Sequence, residues 1–133
     1  MIKLKRVYEP PSAGDGVRVL VDRVWPRGMT KEAVRVRQWM KELGPSDRLR
    51  EFFGHDPARW EEFRKRYRAE LRSAEMRRML KELAEIAEKG TLTLVFGAKD
   101  ETHNQAVVLR EVLERMTRIG SQETNEPRRS EWN

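Results

Sequence analysis

Two apolar runs, Val17–Val24 and Thr91–Phe96, constrain this chain more than any other feature. Both are rich in β-branched residues, as expected of strands covered on both faces of a sheet. The sequence between them has a helical period. Asp56-Pro57 reads as a helix start, with Asp56 accepting from free amides and Pro57 where no donor is needed. Trp60, Phe63, Tyr67 and Leu71 then share one helical face. Ser73 caps a second helix whose inner face is Met76, Met79, Leu80, Leu83, Ile86 and Ala87, and Gly90 closes it. After the second run, Thr102 and Gln105 match a capping box for a helix reaching about Met116, with Val108, Leu109, Val112 and Leu113 inward. Strand, helices, strand, helix is the order of an α/β fold. The expected architecture is a small, mostly parallel sheet flanked by helices in a single three-layer domain.

The remaining segments are shorter. Ile2–Tyr8 alternates apolar and basic residues and reads as a half-exposed strand, followed by a Pro- and Gly-rich loop at 9–16. Thr30 can cap a short helix, Val34–Trp39 alternates like an edge strand, and Ser46 can cap a helix through Phe53. The domain is therefore expected over 1–116. From Thr117 the chain is polar and without periodicity, and a disordered tail is expected over 117–133.

Composition narrows the function classes. The 133 residues contain no cysteine, which removes thiol catalysis, thiolate metal sites and disulfides. Charged residues make up 38%, against about 25% in average domains. Both signs are interleaved, so solvated helix faces account for most of them, and the Glu/Lys/Arg usage also suits a heat-adapted protein. The net charge of +6 raises nucleic acid as a partner. Acids interrupt every basic cluster, which favours arginines spread over amphipathic helices. No apolar stretch approaches the roughly 18–20 residues that span a membrane, and the start Met1-Ile2-Lys3-Leu4-Lys5 has no apolar signal segment. A cytoplasmic protein with no membrane partner is expected.

Several blocks match a known family. They include Val21-Asp22-Arg23-Val24-Trp25-Pro26-Arg27-Gly28, Trp39–Ser46, Phe53-Gly54-His55-Asp56-Pro57, Trp60–Phe63 with Tyr67 and Glu70-Leu71, and Leu92–Asp100 with His103-Asn104. In order and spacing they resemble the YeaO-like family of bacterial and archaeal proteins, a domain of unknown function. The match runs from about Ile2 to Met116 and carries over no established activity. A more distant branch of the superfamily is similar at two places. There an Asp-Val-Arg strand end stands for Asp22-Arg23, and a cysteine-bearing loop stands for 98–104. With no Cys in this chain, a thiol role from that branch does not transfer.

The candidate site comes from topology. Two parallel strands joined by a right-handed helical crossover send their following loops to the same sheet edge. Ligands of α/β proteins bind outside the carboxyl ends of the strands. Asp22–Gly28 and Gly97–Asn104 are therefore expected to share one polar, anion-binding pocket. Arg23, Arg27 and Lys31 are candidates to hold a phosphate or carboxylate through planar or point-charge donors. Asp22 and His103 are candidates to handle protons, with Asn104 and Asp100 as ligand-facing polar groups. The structural alternatives are an ion pair or cap at Asp22-Arg23 and helix-entry packing for His55. Glu70 faces either the pocket or a neighbouring Arg. No HxH or HExxH spacing marks a metal site, and no pattern names a cofactor. The sequence leaves three readings: an enzyme or binder for a small anionic molecule, a nucleic-acid-associated basic protein, and a non-catalytic interaction module.

Overall fold

The computed structural model describes residues 1–125, with side chains described as far as Thr117. The elements in chain order are β1 (Ile2–Arg6), β2 (Val17–Leu20), α1 (Lys31–Val34), β3 (Gln38–Trp39), α2 (Asp47–Phe53), α3 (Trp60–Glu70), α4 (Ala74–Lys89), β4 (Leu92–Phe96) and α5 (Gln105–Asn125). The sheet has the order β1-β4-β2-β3, and every pairing in it is parallel. β2 and β4 lie side by side at its centre. The chain is thus a small α/β domain with a parallel sheet, as the order of apolar runs implies.

The two faces of the sheet are covered unequally. Val19, Val21, Leu92, Leu94 and Phe96 face the main core, which buries Phe63, Tyr67, Leu80, Leu83, Leu109 and Leu113 from α3, α4 and α5. Within it Phe53 and Phe63 stack with ring centroids 4.5 Å apart, and Phe63 lies 5.6 Å from Tyr67. The opposite face holds a smaller cluster of Val7, Leu20, Val34 and Val95, with Trp25, Met29, Val36 and Trp39 against it. Among the described residues, the helix on this face is the one-turn α1, and loops supply the rest of that layer.

A buried polar network closes the end of this second face near the start of β2. Asp15 is 1% exposed and accepts from Lys5 Nζ at 3.0 Å, Arg18 Nη1 at 2.7 Å and the Ser12 amide at 3.0 Å. Burial would raise its carboxyl, but the Ser12 amide and the two cations hold it well below the usual range. Arg18 also donates to the carbonyls of Val34 and Arg35. Every member is paired, so the network anchors loops.

Several boundaries differ from the sequence reading for physical reasons. β2 stops at Leu20. The Val21 amide still reaches Val95 O at 3.1 Å, but the next side chain turns to cap the loop after β4, and Pro26 has no donor to give. The edge strand shrinks to Gln38–Trp39 because Val34 completes α1 and Arg35 ends it in left-handed backbone (φ 50°). Asp56-Pro57 opens a single 3₁₀ turn, Pro57–Arg59, before α3 begins. Gly90 follows α4 in extended backbone (φ 177°) instead of the left-handed conformation expected of a terminal glycine. α5 continues past Met116 to Asn125, and the tail expected over 117–133 lies outside the described residues from 126 onward.

Candidate functional site

Register builds the site. Leu20 pairs with Val95, so two positions beyond that pair Asp22 stands level with Gly97. The Gly97 amide donates to Asp22 Oδ2 at 2.9 Å, and Gln105 Nε2 of α5 donates to Oδ1. A Cβ on Gly97 would sit 2.8 Å from that carboxylate oxygen, so only glycine allows this approach. Burial raises the Asp22 carboxyl to about 6, although the Gly97 and Gln105 bonds and the nearby Arg50 and His55 pull the other way. A value near neutrality suits a proton carrier. Both oxygens, however, already accept from the protein, and the group fastens β2, β4 and α5 together.

The two strand-end loops line one cleft of about 740 Å³. Its walls include Arg23, Arg27, Arg50 and Lys99 as basic side chains and Asp22 and Asp100 as acidic ones, with His55 and His103 on its surface. Asp22, Arg23, Arg27, Asp100, His103 and Asn104 all reach this cleft. Lys31 does not line it. It opens α1, exposed, and is a helix residue first.

The members differ in how free they are. Arg23 turns away from an open-clamp role: Nε donates to Pro45 O at 2.7 Å and Nη2 to Gly44 O at 3.0 Å. Gly44 is pressed against it, since a Cβ there would meet Arg23 N at 3.0 Å. The same turn is held from α3, where Tyr67 Oη donates to Leu43 O at 2.5 Å and Glu70 accepts from the Ser46 amide and hydroxyl. Glu70 therefore faces neither the pocket nor an arginine. Arg27 is exposed, and only its carbonyl is engaged, by Tyr8 Oη at 3.2 Å.

The loop after β4 is self-organised. Asp100 accepts from the amides of Thr102 at 2.9 Å and His103 at 3.0 Å, and pairs with His103 Nδ1 at 2.9 Å. The Thr102 amide and the His103 ring hold the Asp100 carboxyl down at about 2. The His103 ring also stands edge-on to Trp60 with centroids 5.2 Å apart. Asn104 is 1% exposed, and its Oδ1 accepts from the amides of Ala106 and Val107. Asn104 is thus the N-cap of α5, in place of the Thr102–Gln105 box expected from the sequence. It satisfies the helix amides that an anion would otherwise use.

Sequence reasoning gave no site role to Arg50, Lys99, Tyr8 or Gln105, and it favoured helix-entry packing for His55. His55 is exposed on the cleft, and it follows Gly54 in a second left-handed position (φ 58° after 53°). A non-glycine residue held there is uncommon, and Gly-His between two helix caps was the one signal available. For Arg50, on the exposed side of α2, periodicity gave none. Among the described residues, no group of three or more His, Asp and Glu could hold a metal ion, and no helix is long and apolar enough to cross a membrane.

A small parallel α/β domain with a cleft at the strand carboxyl edge is the class this geometry defines. The family described as the inactive DUF488-N3 subclade matches residues 1–130, and the chain belongs to it, within the YeaO-like proteins of unknown function. The uncharacterized protein YeaO of Escherichia coli K12 is 45% identical over 108 residues, covering 81% of this chain and 92% of that protein. Uncharacterized proteins of Mycobacterium tuberculosis H37Rv and Mycobacterium bovis are each 38% identical over 112 residues, covering 84% of this chain and 92% of theirs. No solved structure matches the chain.

Proposed function

We propose that the cleft binds a small anionic molecule and that it is a binding site rather than a catalytic one. One observation carries this reading. Arg27 and Lys99 reach the cleft from the two strand-end loops, and among the described residues neither side chain has a hydrogen bond or ion pair. Arg50 adds a third cation, occupied only by a surface pair with Asp47 at 3.1 Å. Cations gathered in a concave, partly apolar site attract carboxylate or phosphate more strongly than the same charges on a flat surface.

The lining of the cleft favours binding without turnover. Among the described residues no Ser, Thr or Cys side chain lines the cleft, and the Tyr8 hydroxyl there is engaged by the Arg27 carbonyl. The two proton-carrier candidates, Asp22 and His103, are each engaged with protein partners. The word "inactive" in the family description points the same way.

The test is thermal denaturation of the intact protein with inorganic phosphate, sulfate and acetate. A ligand that binds only the folded state raises stability by about 2.7 kcal/mol at a hundredfold excess over its Kd. Phosphate is expected to raise Tm in the wild type and to lose that effect in Arg27→Ala/Lys99→Ala. A phosphate shift that survives the double variant, or a flat response in the wild type, sinks the reading.

A further inference from the structure

The anion reading leaves most of the cleft unexplained. At about 30 Å³ per water, a tetrahedral oxyanion fills on the order of 100 Å³. The cleft measures about 740 Å³, within the range that holds whole organic ligands. The cleft therefore has room for a larger group beside the anionic one.

The apolar wall says what kind of group that is. Three large apolar side chains are exposed among the described residues: Met1 at 76%, Val24 at 56% and Tyr8 at 45%. Two of the three, Tyr8 and Val24, line this one cleft, alongside Trp25 and Pro26. Exposed apolar groups clustered at a concave site mark a binding surface, whereas scattered ones carry no meaning. Tyr8 is also fixed in place. Its hydroxyl holds the Arg27 carbonyl at 3.2 Å, and the Arg6 guanidinium sits 5.1 Å from its ring centroid. A ring already ordered by its own contacts loses little freedom when a ligand stacks on it. Its hydroxyl binds the backbone of Arg27, one of the unpaired cations, so apolar wall and charge are adjacent by construction.

We infer that the cleft takes a planar aromatic ring bearing an anionic head group, the ring against Tyr8, Val24 and Trp25 and the head group among Arg27, Arg50 and Lys99. This rests on the anion reading above and adds the ligand's apolar half. Inorganic phosphate would then still bind, at one end of the site, but more weakly than the same anion carried on a ring.

Calorimetric titration of the full chain with matched probes tests it: phenyl phosphate against methyl phosphate, and benzoate against acetate. Stacking and burial of one ring are worth about tenfold in Kd. Phenyl phosphate is expected to bind about tenfold more tightly than methyl phosphate. In Tyr8→Ala the preference should fall below about threefold, while Tyr8→Phe should keep most of it. Val24→Ser, a change at an exposed position that leaves the fold intact, should also narrow the gap. Equal binding within both probe pairs overturns the ring inference and leaves the anion reading standing. A ring preference untouched by Tyr8→Ala and Val24→Ser overturns its placement here. Failure of all four probes to bind removes the anion reading, and the ring inference with it.

Discussion

The Gly97 amide donates to Asp22 Oδ2 at 2.9 Å across two strands whose register sets these residues side by side. This one bond joins the loop after β2 to the loop after β4, and Gln105 extends the junction to α5. The cleft depends on it, because both loops supply its walls. Asp22 is accordingly a fastener with an unusual protonation behaviour, and its variants have predictable consequences.

The first concerns pH. The Asp22 carboxyl lies at about 6 when folded against 3.8 for the ordinary group. The folded state therefore holds this proton more tightly. Its stabilising contribution is complete below 3.8 and is lost as pH rises through about 6. The size is up to about 3 kcal/mol, at about 1.36 kcal/mol per pH unit. Asp100, held down at about 2, has the opposite sign: its contribution is present above 3.8 and lost as pH falls toward 2. The two windows are separate. Urea denaturation should show wild-type stability falling as pH rises from 3.8 through about 6, and Asp22→Asn should flatten that slope. An unchanged slope in Asp22→Asn would assign the titration to another group.

A second prediction uses the close approach itself. Gly97→Ala places a Cβ 2.8 Å from Asp22 Oδ2, a clash that should cost about 1–3 kcal/mol. If the clash is with this carboxylate, Asp22→Ser should relieve it. The double variant should then be more stable than the sum of the single effects by about 1 kcal/mol or more, in a double-mutant cycle. Strict additivity would mean that Gly97 serves the backbone alone.

The sheet was legible in the sequence because Val17–Val24 and Thr91–Phe96 are apolar on both faces, a pattern few other folds use. The caps Thr30, Ser46, Asp56 and Ser73 were legible too, since each side chain acts on an amide two or three residues away. The division of labour among the polar residues was not. Arg23 and Arg27 look alike as letters, yet one is spent on the carbonyls of Gly44 and Pro45 and the other is unpaired. Asn104 looked like a ligand group and is a buried cap. Such differences are set by which distant carbonyl or amide lies within 3 Å or so, and local sequence carries no record of that.

That contrast between the arginines is testable. Arg23→Ala removes two donors from carbonyls of a buried turn and should destabilise the fold by about 1–3 kcal/mol. Arg27→Ala removes an exposed side chain and should stay within about 0.5 kcal/mol of the wild type. Anion affinity should move the other way, with a direct loss in Arg27→Ala. Equal stability of the two variants in urea melts would contradict the assignment.

The turn at 43–46 yields the last prediction. Three side chains from different elements hold it: Arg23 on Gly44 and Pro45, Tyr67 on Leu43, and Glu70 on Ser46. Pro45 lines the cleft, while Tyr67 is fully buried and touches none of it. Tyr67→Phe conserves the core volume and removes only the hydroxyl, leaving the Leu43 carbonyl without its donor. The expected cost is about 1–2 kcal/mol. Because all three residues hold one turn, Tyr67→Phe and Arg23→Ala should couple, with an interaction energy of at least about 0.5 kcal/mol. Amide exchange at Ser46 and Leu49 should quicken in Tyr67→Phe if the turn loosens as a unit. Exchange that quickens only at Leu43, with additive stabilities, would show three independent contacts instead of one clamp on the cleft wall.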